Sequence, residues 1–270
     1  MPTVNLTDAL RAEYQQLFDA CQITPAKAAE TDRLCDGLVA NQTRYETVAD
    51  GFGMPWFVVA AIHNMECSQN FRQHLHNGDP LTARTKHVPA GRPATGNPPF
   101  TWEASAADAL GMKKFGDWSD WSIPGFLYRI EGYNGWGYRL YHPAVKTPYL
   151  WSGSNHYTGG KYVADGTWSD TARSAQVGAA VLIRRLAERQ AITLDSHVED
   201  ESLLAAMGRK SALFRYTPGR VTPGGTQLQH FLNTFPGIFL KEDGKLGQRT
   251  SDAYKRVFGR YLLGDPRENA

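Results

Sequence analysis

Cysteine is scarce in this chain and offers no framework. Cys21, Cys35 and Cys67 are odd in number, and no Cys-x-x-Cys occurs. A disulfide-stapled scaffold and a structural zinc site are therefore set aside. Charge imbalance is missing as well: 29 basic against 27 acidic residues leave a net charge of +2, too little to argue for a nucleic-acid partner. No apolar run approaches membrane-spanning length, so no membrane partner is expected. The N-terminal MPTVNLTDALRAEYQQLFDAC is polar and amphipathic, unlike a cleaved secretory signal. Synthesis in the cytoplasm is the expectation, with other machinery delivering the chain if it acts outside. There are no tandem repeats and no low-complexity tract. What is present is an ordinary globular composition of 270 residues, 41% hydrophobic and 21% charged, enough for a sizeable core in one or two domains. Seven tryptophans and 12 tyrosines exceed what a minimal core requires, and such rings line sugar clefts as well as cores.

One segment carries chemistry. Met54 to Glu66 reads MPWFVVAAIHNME, with Trp56, Val59, Ile62, His63 and Glu66 at helical three/four spacing. Pro55 suits a first helical turn. An acid at the buried C-terminal end of such a helix is disfavoured as a carboxylate twice, by desolvation and by the negative helix terminus. A carboxylic acid that stays protonated near neutral pH is suited to donate to a glycosidic oxygen. Glu66 is thus the candidate general acid. Cys67 beside it is read as a buried free thiol rather than a nucleophile.

The rest of the chain is read from its periodicity and its breakers. Leu6 to Val48 predicts two helices, capped at Thr7 or Asp8. His74 to Gly96 is dense in turn signals and predicts a small hairpin or ordered loop. TWEASAADALGM predicts a helix capped by Thr101, and IPGFLYRIEGYNGWGYRLY a helix from near Pro124 that breaks between Gly132 and Gly137. TPYLWSGSNHYTGGKYVADG reads as loop. SDTARSAQVGAAVLIRRLAERQ predicts a strong helix capped at Ser169 or Asp170. Composition shifts after about Asp195, RYTPGRVTPGGTQ reads as a linker or interhelical loop, and a compact terminal unit follows. The expected division is 1–195 and 196–270.

Further polar groups gather near the proposed acid. The turn holding Asp79 and Thr85 returns past the helix end, where a carboxylate and a hydroxyl would hold water or stabilise positive charge on a sugar. Asp79 in NGDP is also a natural turn residue. Glu131 sits where a helix breaks and is read first as a helix-end charge. Tyr133, Asn134, Trp136 and Tyr138, with Tyr149 and Trp151, are of the types that stack on sugar rings and bond acetamido groups. Arg139 and Lys161 are candidates for peptide carboxylates of a wall polymer, although solvated charges are the default. His63, His74, His76 and His87 form a rival constellation for zinc, but no His-Glu-x-x-His occurs, so no metal and no cofactor are expected. His63 is kept as a cleft residue.

IHNMECSQNF, the hairpin-like stretch after it and GYNGWGYRLYH resemble the lysozyme-like superfamily of lysozymes, phage endolysins and soluble lytic transglycosylases. Glu66 matches its acid, Ser68 sits one place beyond the usual serine, and Tyr133-Asn134-Gly135 resembles its later cleft segment. Asp79 and Thr85 reproduce the Asp-to-Thr interval of phage-type lysozymes, while the Glu66-to-Asp79 interval is longer than usual. The match covers roughly residues 50 to 190. The terminal unit resembles small three-helix peptidoglycan-binding domains through Leu240, Asp243, Gly244, Gly247, Thr250 and Ala253. There Asp243-Gly244 would turn, Gly247 would permit close approach and Thr250 would cap the helix of Ala253. The resemblance implies a mainly α, lysozyme-like α+β catalytic domain with a short hairpin, then a three-helix wall-binding module. It implies a monomeric muramidase cleaving the β-1,4 link between N-acetylmuramic acid and N-acetylglucosamine in peptidoglycan, acting as endolysin or antibacterial effector. An immunity protein or a delivery apparatus would be its further partner. Lytic transglycosylation, a non-catalytic wall-binding role and a zinc amidase or peptidase are the alternatives.

Overall fold

The computed structural model describes residues 4–164, 166–194 and 214–268. The chain is mainly helical with one small antiparallel sheet, and it divides into two compact units, 1–192 and 193–270.

In the first unit α1 (Asp8–Asp19), α2 (Pro25–Ala40), α3 (Gln42–Ala49), α4 (Trp56–Cys67), α5 (Trp102–Met112) and α6 (Ile123–Asn134) are followed by two short helices, α7 (Gly137–Tyr141) and α8 (Pro148–Trp151). The hairpin β1 (Lys161–Ala164) and β2 (Thr167–Ser169) comes next, then α9 (Ala179–Glu188). Three helices, not two, fill the stretch to Ala49, because Asn41 breaks the run and its own Nδ2 bonds back to the Gly37 carbonyl. Thr7 caps α1 by accepting from the Leu10 N–H at 3.2 Å, and Thr101 caps α5 by accepting from Ala104.

The organising element is α4. Ten of its 12 residues are buried, so it is not the one-faced helix that the spacing suggests but an axis covered all round by α2, α3, α6 and α9. Val58, Ala60 and Ala61 are small enough to let neighbours close on the faces that a surface helix would give to polar residues. Pro55 stands at its N-cap, one place before the first turn. The charged end of α9 is also buried. Arg184 donates from Nη1 to the Phe18 and Asp19 carbonyls at 3.0 Å each, closing the C-terminal end of α1.

Of the two forms expected for residues 74–96, the ordered loop is the one observed, with an isolated bridge between Gln73 and Pro80, while the hairpin lies at β1–β2, within a stretch read as loop. The last helix of the unit begins at Ala179, not near Ser169, which closes β2. Its N-cap is Gly178, where a Cβ would come within 2.3 Å of the Leu150 carbonyl oxygen, so the chain needs glycine there to let α8 approach.

The second unit packs α10 (Gly225–Leu232) and α11 (Gln248–Phe258) around Leu228, Leu232, Leu240, Leu246, Tyr254 and Leu262. The stretch from Arg215 that leads into α10 belongs to the unit rather than linking to it: Arg215 bridges to Leu263 and Thr217 to Leu246. A buried amide knits it together. Gln229 donates from Nε2 to Asp243 Oδ1, the Lys245 carbonyl and Thr250 Oγ1, and its Oε1 accepts from the Gly244 N–H at 2.7 Å. Asp243 and Gly244 do form the turn, with Asp243 Oδ1 accepting from the Lys245 N–H and Gly244 at φ +71°. The roles foreseen for Thr250 and Gly247 are not the observed ones. Gly247, not Thr250, is the N-cap of α11, and Thr250 lies inside the first turn with its hydroxyl in the Gln229 network. The close backbone approach falls at Gly225, where a Cβ would meet the Gly244 carbonyl oxygen at 2.5 Å.

Candidate active site

Glu66 is the penultimate residue of α4, and the way the helix stops fixes it in place. Ser68 and Gln69 adopt left-handed conformations, φ +49° and +62°, which turn the chain sharply away. The Ser68 N–H returns to the Asn64 carbonyl, the Asn70 N–H to the Cys67 carbonyl, and Gln176 Nε2 to the Met65 carbonyl at 3.1 Å. Gln69 is clamped in turn, donating from Nε2 to Asn64 Oδ1 and the Leu34 carbonyl. The Asn64, Met65 and Cys67 carbonyls at the end of α4 therefore have donors, and the side chain of Glu66 emerges from a well-held base.

The carboxyl is set apart by its surroundings. Burial pushes its pKa up, while the Tyr149 hydroxyl, donating to Oε1 at 2.7 Å, and the Lys113 ammonium pull the other way. Burial prevails. Tyr149 is itself held far towards its neutral form by burial and by Glu66. The adjacent Cys67 is pushed up to about 12 by burial and donates from Sγ to the His74 carbonyl, as a structural thiol does.

A cleft of about 520 Å³ opens beside this group. Tyr149 joins the two, since the same side chain lines the cleft and bonds Glu66. Asn134 and Tyr138 from the α6–α7 segment, Lys161 and Tyr162 from β1, and Gln176 from the approach to α9 complete the wall. Among the described residues that wall holds one cation, Lys161, and no carboxylate. A volume of this size accommodates a small stretch of saccharide, and tyrosine faces with amide and hydroxyl groups suit it.

The expected residues separate into three sets. Tyr149, Tyr138 and Asn134 line the cleft. Tyr133 is buried behind it: its hydroxyl donates to the Leu75 carbonyl at 3.0 Å, and its ring lies beside Lys113 and Phe115. Trp136 packs at a tilt against Tyr128, ring centroids 4.9 Å apart, and, with Tyr133, lines a separate cavity of about 140 Å³.

The third set lies elsewhere. His63 does not line the cleft but is fully buried in an aromatic cluster of Tyr45, Phe71 and Trp102, with Nδ1 against the Tyr45 hydroxyl, and burial lowers its pKa to about 4. Trp151, also buried, packs on His156. Asp79 closes its own loop. Its oxygens accept from the Lys86 and His87 N–H groups, from His87 Nδ1 at 2.6 Å and from Asn77, and the His87 donors hold it well below the usual carboxylate range. No hydrogen bond or ion pair joins it to Glu66. The Thr85 hydroxyl is taken by the Pro89 carbonyl and the Arg92 N–H of the same loop.

Glu131 is a buried structural charge. It accepts from Tyr14 and from Arg139, and Arg139 reaches on to Glu13, which also meets Lys146. The histidines do not converge: His74 bonds Ser105 and the Ala83 carbonyl, His76 bonds Asp108 and His87 bonds Asp79. Among the described residues no group of three metal-ligating side chains comes together. Tyr162 and Gln176 had not been singled out in the sequence. Asp165-Gly166 is a hairpin-turn dipeptide that would have found the strand carrying Tyr162; Gln176 offers no such signal.

Comparison of the chain with family models, with curated proteins and with solved structures found no match. The site is accordingly defined by its own geometry: a raised, partly exposed acid at the end of a buried helix, bridged by a tyrosine to a polar, aromatic cleft.

Proposed function

We propose that the first unit is a lysozyme-like catalytic domain that cleaves glycan strands of peptidoglycan, at the β-1,4 link between N-acetylmuramic acid and N-acetylglucosamine, with Glu66 as general acid. The observation that carries this reading is the pairing of a burial-raised carboxyl with a saccharide-sized cleft through Tyr149. Glu66 protonates the leaving oxygen, and the tyrosines and amides of the cleft hold the flanking sugars. The second unit acts as a wall-binding module that raises the local concentration of the first on the polymer. Delivery as an endolysin or as an injected effector, the latter with an immunity partner, fits the same chemistry.

Hydrolysis calls for a second group to position water, and Asp79 is the residue the sequence offers. A second reading, non-hydrolytic transglycosylation by attack of the substrate's own hydroxyl, gains from one observation. Asp79 is engaged within its loop, and the described residues of the cleft wall include no carboxylate. Mass spectrometry of purified sacculi treated with wild type and with Glu66→Gln tests both. Reducing muropeptides from wild type alone support hydrolysis, anhydro products support transglycosylation, and intact strands from both proteins overturn glycan cleavage. Release of peptides that EDTA abolishes would instead mark a metal-dependent amidase.

A further inference from the structure

We propose that Lys161 is a specificity-determining residue that reads a free lactyl carboxylate, one not taken up in the amide to a stem peptide, so that the cleft takes an acidic glycan in preference to a neutral one. The proposal rests on the cleft being a glycan site. Lys161 is the one charged side chain among the described residues that line it. Three lysines of this unit have protein partners: Lys27 meets Glu30, Lys146 meets Glu13, and Lys113 donates to the Tyr133 carbonyl. No ion pair or hydrogen bond of the Lys161 ammonium occurs among the described residues, so its counter-charge is left for a ligand to supply.

The backbone under Lys161 is firmly held. Gly160 donates to the Ala172 carbonyl at 2.9 Å and accepts from the Tyr157 hydroxyl, and a Cβ there would meet the Trp168 ring at 2.9 Å. Lys161 itself is in register with Ser169 on β2. Next along β1, Tyr162 packs edge-on against Tyr138 at 5.4 Å. An ammonium projecting from such a base beside aromatic walls meets a carboxylate with less competition from water than at an open surface.

The test is calorimetric binding of two oligosaccharides of equal length to the Glu66→Gln protein, which does not turn them over. One contains N-acetylglucosamine only; the other alternates it with N-acetylmuramic acid and so carries lactyl carboxylates. Adding Lys161→Met is expected to weaken the acidic ligand about tenfold, the scale of one charge-assisted hydrogen bond, and to leave the neutral ligand unchanged. Adding Lys161→Arg should keep the preference. Equal weakening of both ligands, or of neither, overturns the role of Lys161 while leaving the glycan reading intact. Failure of both ligands to bind the Glu66→Gln parent overturns the glycan reading and this proposal with it. Unchanged thermal unfolding of the lysine variants separates either result from misfolding.

Discussion

At the scale of single residues the proposed chemistry rests on Glu66 and Tyr149. Glu66→Gln removes the transferable proton and keeps the shape, so glycan cleavage should fall by about 10²–10⁴-fold, read as product release from sacculi. The Tyr149 hydroxyl favours the ionised carboxyl. Its loss in Tyr149→Phe should raise the Glu66 pKa further and extend activity to higher pH, visible as an upward shift of the alkaline limb of the pH–rate profile. Stability follows the same group with the opposite benefit. A carboxyl whose pKa is higher folded than unfolded binds more protons in the folded state, so its contribution is retained below the unfolded value and declines as pH rises through the folded one. Glu66→Gln should therefore unfold at a higher temperature than wild type at pH 8, with the gap narrowing at pH 4. Equal gaps at both pH values would show that burial does not disfavour the charge.

Secondary-structure elements place these residues, and they were legible in the sequence to different degrees. The helix of Glu66 could be read because its ends are written locally, Pro55 at one side and Cys67-Ser68 at the other. Its central position could not, since full burial depends on α2, α3, α6 and α9 arriving from distant parts of the chain. The spacing of Asp79 and Thr85 suggests chemistry. The structure shows how a turn consumes the same groups, with His87 and Lys86 taking one and Pro89 and Arg92 the other. His63 appeared to belong to the cleft because it lies one turn from Glu66. Three residues carry the helix through about 300°, short of a full rotation, and His63 joins Phe71 and Trp102 instead. The late start of α9 was hidden because Gly178 looks like a breaker within a helix and is in fact its cap. Gly178→Ala should drive a methyl into the Leu150 carbonyl and cost about 1–3 kcal/mol, measured by denaturant unfolding.

On the scale of the whole molecule, the chain forms two compact units, and the proposed function assigns catalysis to the first and attachment to the second. Removing residues 193–270 should leave cleavage of short soluble glycans near the wild-type rate and reduce co-sedimentation with sacculi, as expected when a second binding element is lost. An equal loss of both would show that the first unit depends on the second for more than attachment. The three thiols bear on where such a protein can operate. Cys21, Cys35 and Cys67 are buried and unpaired, each pushed up to about 12 by that burial. Packing keeps them from exchange with outside disulfides, because the reactive thiolate is scarcely populated and the sulfurs are out of reach. The folded first unit therefore has no disulfide to make, break or reshuffle, and reductant or mild oxidant should leave its unfolding temperature unchanged.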